Sequence, residues 1–130
     1  MSVSFDNITT GKSYTRPQLA KLWGFLSYHA FAKGVFTPSK SNLIILFVTK
    51  EKQKSLRQYD DLLVDDILSM DGEANGGSDS RVVNSTSQND EVHLFYRELH
   101  HRPFVYHGLF VLTEAKHSTD GPTRFRFVRK

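Results

Sequence analysis

The sequence feature that most constrains the fold is an uninterrupted apolar run at residues 43–48. Leu43-Ile44-Ile45-Leu46-Phe47-Val48 contains no polar side chain, whereas a strand with one solvent-facing side alternates apolar and polar residues. We therefore predict a strand over 43–49 that is buried on both faces and forms the central strand of a sheet.

A short helix is predicted earlier in the chain, over residues 15–24. Thr15 suits the N-cap position, and Pro17 falls in the first turn, where its missing N–H is not needed. Leu19 and Trp23 are four residues apart and share one helix face, and Gly24 can end the helix in a left-handed conformation. A second short helix is predicted over 27–33.

Strands dominate the second half of the sequence. Four further strands are predicted, over 67–70, 91–97, 103–113 and 123–129. The second and third of these are expected to form a hairpin. Period-two spacing places the apolar residues of the third on one face, and these are Phe104, Tyr106, Phe110 and Leu112.

Two polar stretches interrupt the predicted strands. Residues 60–66 carry four aspartates around three apolar residues, and we predict a turn or short helix there. Residues 71–90 are rich in Gly, Ser, Asn and Asp and are predicted to be a long flexible loop.

The whole pattern of predicted helices and strands indicates a single domain over 1–130 with an α+β fold. Its sheet is expected to be curved and mainly antiparallel, or a partly closed barrel, with five or six strands and two short N-terminal helices.

Composition excludes several classes of chemistry. The chain has no cysteine, which removes thiolate catalysis, disulfides and cysteine-based zinc sites. Its longest apolar run is far shorter than a membrane span, and no leader segment is evident, so we expect a soluble cytoplasmic protein with no membrane partner. The chain has 17 basic and 14 acidic residues, a mild excess that favours a polyanion partner only where the cations cluster.

The basic residues do cluster in two places. Lys50, Lys52, Lys54 and Arg57 form one group, and Arg124, Arg126, Arg129 and Lys130 form the other on the last strand. Either group is suited to neutralise phosphates.

Most phenylalanines are expected in the core, whereas aromatic residues with a polar edge suit the rim of a base-binding pocket. These are Tyr14, Trp23, Tyr28, Tyr96 and Tyr106, of which Tyr28 is the preferred stacking candidate.

An ordered series of short motifs resembles a known family. The series comprises Tyr14-Thr15-Arg16-Pro17, Leu22-Trp23-Gly24, Ser27-Tyr28-His29-Ala30, Gly34-Val35-Phe36-Thr37-Pro38, Ile45-Leu46-Phe47-Val48-Thr49-Lys50-Glu51-Lys52-Gln53, Leu94-Phe95-Tyr96-Arg97-Glu98 and His100-His101-Arg102-Pro103-Phe104. It resembles an uncharacterised bacterial domain found at the C-terminus of superfamily-two helicases with a phospholipase-D-type nuclease, and beside HNH endonucleases.

The resemblance implies a role in restriction or anti-phage defence and a PUA-like barrel akin to domains that read modified bases. We expect the protein to have no catalytic activity and no cofactor. One departure is Met70, where an aromatic residue is expected beside an acidic Gly-Glu turn, and it puts an aromatic base cage in doubt. The function predicted is a reader of modified or distorted nucleic acid, with DNA favoured over RNA. The predicted nucleic-acid-binding residues are Tyr14, Arg16, Trp23, Tyr28, His29, Lys50, Lys52, Tyr96, Arg97, His101, Arg102, Arg124 and Arg126.

Two alternative functions remain open from the sequence. One is a protein-interaction module that docks on a separately encoded nuclease or helicase. The other is a small metal-dependent nuclease that uses Glu98, His100 and His101. The histidine spacing matches no metalloprotease or HNH pattern. In an extended segment, His100 and His101 would also face opposite ways and could not share one ion.

Overall fold

The computed structural model describes residues 3–51, 61–72, 79–117 and 121–130. Within these ranges the chain forms eight strands and three short helical segments. The strands are β1 Ser13–Tyr14, β2 Val35–Phe36, β3 Leu43–Glu51, β4 Leu62–Val64, β5 Ile67–Asp71, β6 Glu91–Leu99, β7 Phe104–Lys116 and β8 Arg124–Arg129. The helical segments are α1 Arg16–Trp23, α2 Asp79–Val83 and a 3₁₀ helix His29–Phe31.

The strands form one sheet in the order β2-β3-β6-β7-β8-β5-β4, with β1 paired to β7. The pairings are antiparallel apart from that of β3 with β6, which is parallel. The predicted α+β fold with a curved, mainly antiparallel sheet is confirmed. The described strands outnumber the five or six predicted, because β1, β2 and β4 have only two or three residues and leave little periodic signal.

A hydrophobic core covers each face of the β3–β6 pair. The aliphatic core comprises Val35, Ile44, Leu46, Val48, Leu68, Met70, Val82, Val92, Leu94, Tyr96, Phe110, Phe125 and Phe127. The aromatic core, on the opposite face, comprises Ile8, Leu19, Ala20, Trp23, Phe31, Phe36, Ile45, Phe47, Phe95, Phe104 and Tyr106. Burial of β3 on both faces is therefore as predicted. Its predicted central position is wrong, because only the two-residue β2 lies beyond it.

The caps of α1 match the sequence prediction. Thr15 Oγ1 accepts a hydrogen bond from the Gln18 amide at 3.2 Å, and Gln18 Oε1 accepts one from the Thr15 amide at 2.7 Å. Gly24 ends the helix with φ of 78°. The second predicted helix is reduced to the 3₁₀ turn His29–Phe31, which buries the Phe31 ring in the aromatic core.

A β-bulge divides β7 into two parts. Phe95 of β6 lies opposite Tyr106, and the adjacent Leu94 lies opposite Gly108, so His107 is the extra residue. Gly108 has φ of 89°, a left-handed value that favours glycine. The bulge therefore shifts the side chains that follow it to the other face of the sheet.

The bulge overturns the predicted single apolar face of β7. Phe104 and Tyr106 precede it and lie in the aromatic core, whereas Phe110 lies in the aliphatic core. Leu112 packs against the aliphatic core as well. Period-two counting fails here because one inserted residue inverts the alternation.

Gly108→Ala is expected to lower the free energy of unfolding by about 1–2 kcal/mol, because an L-residue is strained at this positive φ. Space is not the cause, since an added Cβ would meet only the Thr10 side chain at ordinary contact distances, with Oγ1 at 3.7 Å and Cγ2 at 4.0 Å. Urea denaturation gives the difference. Gly121→Ala is the control, because its Cβ would meet nothing within 4 Å among the described residues. Equal effects of the two variants would contradict the explanation.

Two of the predicted polar stretches contain regular structure. The turn predicted within 60–66 is limited to Asp65 and Asp66, because Leu62–Val64 forms strand β4 and pairs with β5 around that turn, while residue 60 lies outside the described residues. Cross-strand pairing outweighs the polar flanks. The predicted loop at 71–90 includes α2, which buries Val82 in the aliphatic core. Residues 73–78 of that loop lie outside the described residues.

His93 is buried under the N-terminal segment. Its ring stacks on Phe5 with centroids 3.7 Å apart, and its Nδ1 lies 2.7 Å from the Tyr106 hydroxyl. Its Nε2 lies 3.1 Å from Glu91 Oε1. Burial lowers the pKa of His93 below 6.5, although Glu91 opposes this shift. Burial also lowers the pKa of His107, and the nearby Arg129 acts in the same direction.

The free energy of unfolding is expected to fall as pH drops from about 7 to about 5, because the unfolded chain binds protons to these histidines more readily than the folded chain does. The loss begins near the unfolded pKa of 6.5 and ends below the folded pKa values. Denaturation at several pH values measures the slope. His93→Gln is expected to reduce it, and an unchanged slope in that variant would contradict the assignment.

Candidate nucleic-acid interface

The pairing of β1 with β7 brings distant parts of the sequence together. Tyr14 lies opposite Phe104, so the start of α1, directly after β1, lies beside the start of β7. The β6–β7 connection runs past the same place. Three of the motifs singled out in the sequence therefore meet at one end of the sheet.

These segments enclose a cleft of about 510 Å³, here called the cationic cleft. Three arginines line the cleft, namely Arg16, Arg97 and Arg102. Tyr28, His100 and His101 line it as well. Phe104 is buried beneath them, with the Arg16 and Arg97 guanidinium carbons 4.9 Å and 4.1 Å from its ring centroid. Two guanidinium groups are thus stacked at one aromatic ring.

Neutral groups hold the two guanidiniums in position. Arg16 Nε donates to the Phe31 carbonyl at 2.9 Å, and one of its terminal nitrogens donates to the Lys33 carbonyl at 3.3 Å. Arg97 Nε donates to Thr49 Oγ1 at 2.7 Å, and its Nη1 donates to the Arg102 carbonyl at 3.1 Å. These bonds fix orientation without neutralising charge.

The charge of the cleft is largely uncompensated within the described part of the chain. Desolvation, followed by the positive charge of Arg97, lowers the pKa of Arg16 from 12.5 to about 10, while Tyr28 acts in the opposite direction. Desolvation also lowers the pKa of Arg97. No carboxylate oxygen of the described residues lies within 4.0 Å of either guanidinium.

The two adjacent histidines lie in a turn rather than in an extended segment. His101 has φ of 71°, and the His100 and His101 ring centroids are 3.8 Å apart, so the expectation that they face opposite ways is wrong. Partial desolvation lowers the pKa of His100, and the positive charges of His101, Arg97 and Arg16 lower it further. Among the described residues, no group of three or more His, Cys, Asp or Glu is arranged to hold a metal ion.

A second cleft lies on the other side of the β6–β7 connection. It has a volume of about 550 Å³ and shares Arg97 and Arg102 with the cationic cleft. We call it the apolar recess, and its apolar and aromatic lining is Leu63, Tyr96, Leu99, Pro103, Val105 and His107. The two clefts together place a cationic surface beside an apolar one.

Three predicted binding residues, Trp23, Tyr96 and Tyr14, are wholly or partly buried in this structure. Trp23 is only 2% exposed, and its Nε1 donates to the Ser4 carbonyl at 2.9 Å, so no ring face is open to a ligand. Tyr96 is 5% exposed and lies in the aliphatic core at the edge of the apolar recess. Tyr14 is half-buried, and its hydroxyl accepts from the Thr9 amide at 2.8 Å. The Trp23 and Tyr96 rings are therefore part of the core, and the half-buried Tyr14 ring meets the Phe95 ring edge-on.

Three predicted binding residues that lie outside the cleft, Lys50, Arg124 and Arg126, have carboxylate partners. Arg124 lies 3.1 Å from Asp71 Oδ1 and 3.6 Å from Asp61 Oδ1, and Arg126 lies 3.5 Å from Glu114. Lys50 is exposed, with its Nζ 3.7 Å from Glu98. His29 is exposed at the start of the 3₁₀ helix, while Lys52, Lys54 and Arg57 lie outside the described residues. Of these side chains, the described ones, namely His29, Lys50, Arg124 and Arg126, do not line the cationic cleft.

Sequence reasoning missed Phe104 and Thr49 as parts of this site. The period-two pattern predicts only an apolar face for Phe104, although Phe104 ends the His-His-Arg-Pro-Phe motif that lines the cleft. That adjacency was the available signal. Thr49 positions Arg97 only because β3 and β6 are parallel in one register, which no local pattern shows.

The fold is shared with SRA domains of known structure. The SUVH5 SRA domain in complex with fully methylated CG DNA superposes with a TM-score of 0.68 at 15% sequence identity. Its complexes with hemi-methylated CG DNA and with methylated CHH DNA each give 0.64 at 15% identity. In all three, the match covers the whole of this chain and 94% of that chain. The predicted PUA-like fold class is confirmed by this likeness.

No protein-family model and no curated protein matches the sequence. Across the described ranges, no helix combines the length and hydrophobicity needed to cross a membrane.

Proposed function

We propose that this protein is a non-catalytic reader of modified DNA that binds the phosphate backbone in the cationic cleft. The observation that carries the proposal is the cleft itself, where Arg16, Arg97 and Arg102 converge with two histidines. The shared fold with SRA domains solved on methylated DNA indicates the class of ligand. The family resemblance adds restriction or defence as the context.

Binding of the DNA phosphate backbone follows from the positive charge of the cleft and from the exposure of its outer residues. Arg102 and His101 are exposed at the mouth of the cleft, while Tyr28 is 44% exposed at its rim. Guanidinium groups bind phosphate oxygens through charge-assisted hydrogen bonds, and an exposed tyrosine ring can stack on a base. This arrangement suits a strand that passes over the cleft with its phosphates inward.

The apolar recess is our candidate for the base-reading position. It lies directly beside the phosphate-binding arginines and has a mostly apolar lining, so a base turned out of the helix would contact Leu63, Val105 and His107. Discrimination would arise because an added methyl group gains apolar contact there. Binding of unmodified DNA would depend mainly on the cleft.

The test is fluorescence anisotropy at about 150 mM salt, a concentration at which weak non-specific binding is suppressed. The probes are one DNA sequence in unmodified, methylcytosine, hydroxymethylcytosine, methyladenine and phosphorothioate forms, with single-stranded RNA as a further probe. A preference of about tenfold or more for one modified DNA is expected. Uniformly weak binding across the set would overturn the reader proposal and favour the interaction-module alternative.

The recess has a test of its own. Val105→Phe would place a bulky ring in the recess and narrow it, and is expected to remove the preference for modified DNA while leaving the affinity for unmodified DNA unchanged. Val111→Phe is the matched control, because it makes the same change on β7 outside both clefts. Retention of the preference by Val105→Phe would place base reading elsewhere.

A further inference from the structure

The two guanidiniums at Phe104 form an unusual pair for a folded interior. Arg16 comes from α1 and Arg97 from β6, and both are partly buried against the same ring. Like charges held close together in a desolvated site repel each other, and an anion placed between them relieves that repulsion. No described carboxylate serves as that anion.

We propose that Arg16 and Arg97 together form a seat for a single phosphate group inside the cationic cleft. The inference rests on the proposed function in that the phosphate belongs to a nucleic-acid strand. It goes further by assigning the tightest phosphate contact to two particular side chains. Arg102 then contributes positive charge beside the pair.

The hydrogen bonds of the pair support this assignment. A guanidinium has five N–H donors, of which Arg16 uses two on the Phe31 and Lys33 carbonyls. Arg97 uses one on Thr49 and one on Arg102, with a third directed at His100 Nδ1 at 3.5 Å. Each side chain is therefore fixed in place and retains donors, which is the preorganised geometry that a bidentate oxyanion contact requires.

The electrostatics of the pair favour the same ligand. Burial and Arg97 depress the pKa of Arg16, so a bound anion would stabilise the charged form and be stabilised in return. The start of α1 lies in the same cleft, and its helix dipole adds partial positive charge there. Together these features favour a compact dianion or a phosphodiester over a neutral ligand.

Sulfate is the probe for the seat, because it resembles phosphate and does not titrate near neutral pH. Backbone amide NMR spectra are recorded as sulfate replaces chloride at constant ionic strength. We expect saturable shifts confined to the amides of Thr15, Arg16, residues 97–102 and Phe104, since Pro17 and Pro103 have no amide proton. Arg97→Gln is expected to weaken sulfate binding about tenfold, the value of one lost charge-assisted bond.

Arg124→Gln is the matched control, since it removes the same charge from an arginine paired with Asp71 at a distance from the cleft. It is expected to leave sulfate affinity unchanged. Arg97→Lys is a second variant, which retains the positive charge but loses the paired N–H donors of the planar guanidinium. Weaker sulfate binding is expected in Arg97→Lys as well. Non-saturating shifts in the natural protein, or identical affinity in Arg97→Gln, would overturn the inference.

DNA anisotropy on the same variants separates this inference from the proposed function. DNA binding without a saturable sulfate site would overturn the seat alone, and a sulfate site without DNA binding would overturn the reader proposal alone. Oligonucleotides with a 5′-hydroxyl or a 5′-phosphate distinguish the source of the phosphate. Equal affinities support a seat for an internal phosphodiester, and tighter binding of the phosphorylated strand supports a seat for a strand end.

Discussion

Phe95→Ala is expected to lower the free energy of unfolding by about 3–5 kcal/mol, the range for removing a large aromatic side chain from a packed core. Phe95 has no exposed surface, and its ring centroid lies 5.1 Å from those of both Phe47 and Tyr106. Tyr14 and Trp23 meet the same ring edge-on. The cavity left by Ala would face rings that are too constrained to collapse into it.

Guanidinium chloride denaturation followed by circular dichroism measures this loss. Tyr28→Ala serves as the aromatic control, because Tyr28 is 44% exposed and its removal is expected to change stability by less than about 1 kcal/mol. A loss at Phe95 no larger than at Tyr28 would show that the aromatic core does not hold the fold together.

Arg102→Glu is expected to weaken DNA binding by tenfold or more, the approximate effect of replacing a phosphate-contacting cation with an anion. It is also expected to reduce the salt dependence of the affinity by about one phosphate contact. Arg102 is exposed at the cleft, so the change carries little folding penalty. Anisotropy titrations at several salt concentrations give both quantities.

Arg126→Glu makes the same change of charge on β8, where Arg126 already pairs with Glu114. Its effect on DNA affinity is expected to be about twofold at most, since an existing carboxylate already offsets its charge. Comparable losses in the two variants would return the interface to the basic C-terminal strand predicted from sequence. A loss confined to Arg126→Glu would contradict the cleft altogether.

The sequence predictions were accurate where the structure depends on residues close together in the chain, and less accurate where it depends on distant segments. The capping residues of α1 act over a few positions, and both ends of the helix are where the sequence placed them. The β6–β7 hairpin is likewise local. The burial of Trp23 was not predicted, because it depends on Ser4 and on rings from several separate segments.

The cationic cleft shows the same limit. Its arginines were singled out individually, but their convergence depends on the register of Tyr14 opposite Phe104, which joins the first strand to the seventh. The predicted role of Arg124 rested on its alternation with Phe125. Alternation does indicate which face a side chain occupies, but it does not show that Asp71 lies opposite Arg124 on β5.

The bulge in β7 has a consequence for how the molecule unfolds. Because residues before it pack in the aromatic core and residues after it pack in the aliphatic core, a single strand belongs to both hydrophobic layers. Neither layer can loosen without pulling the shared strand out of register with β6. The two layers are therefore expected to melt as one cooperative unit, with the central amides of β6 and β7 exchanging with solvent only through global unfolding.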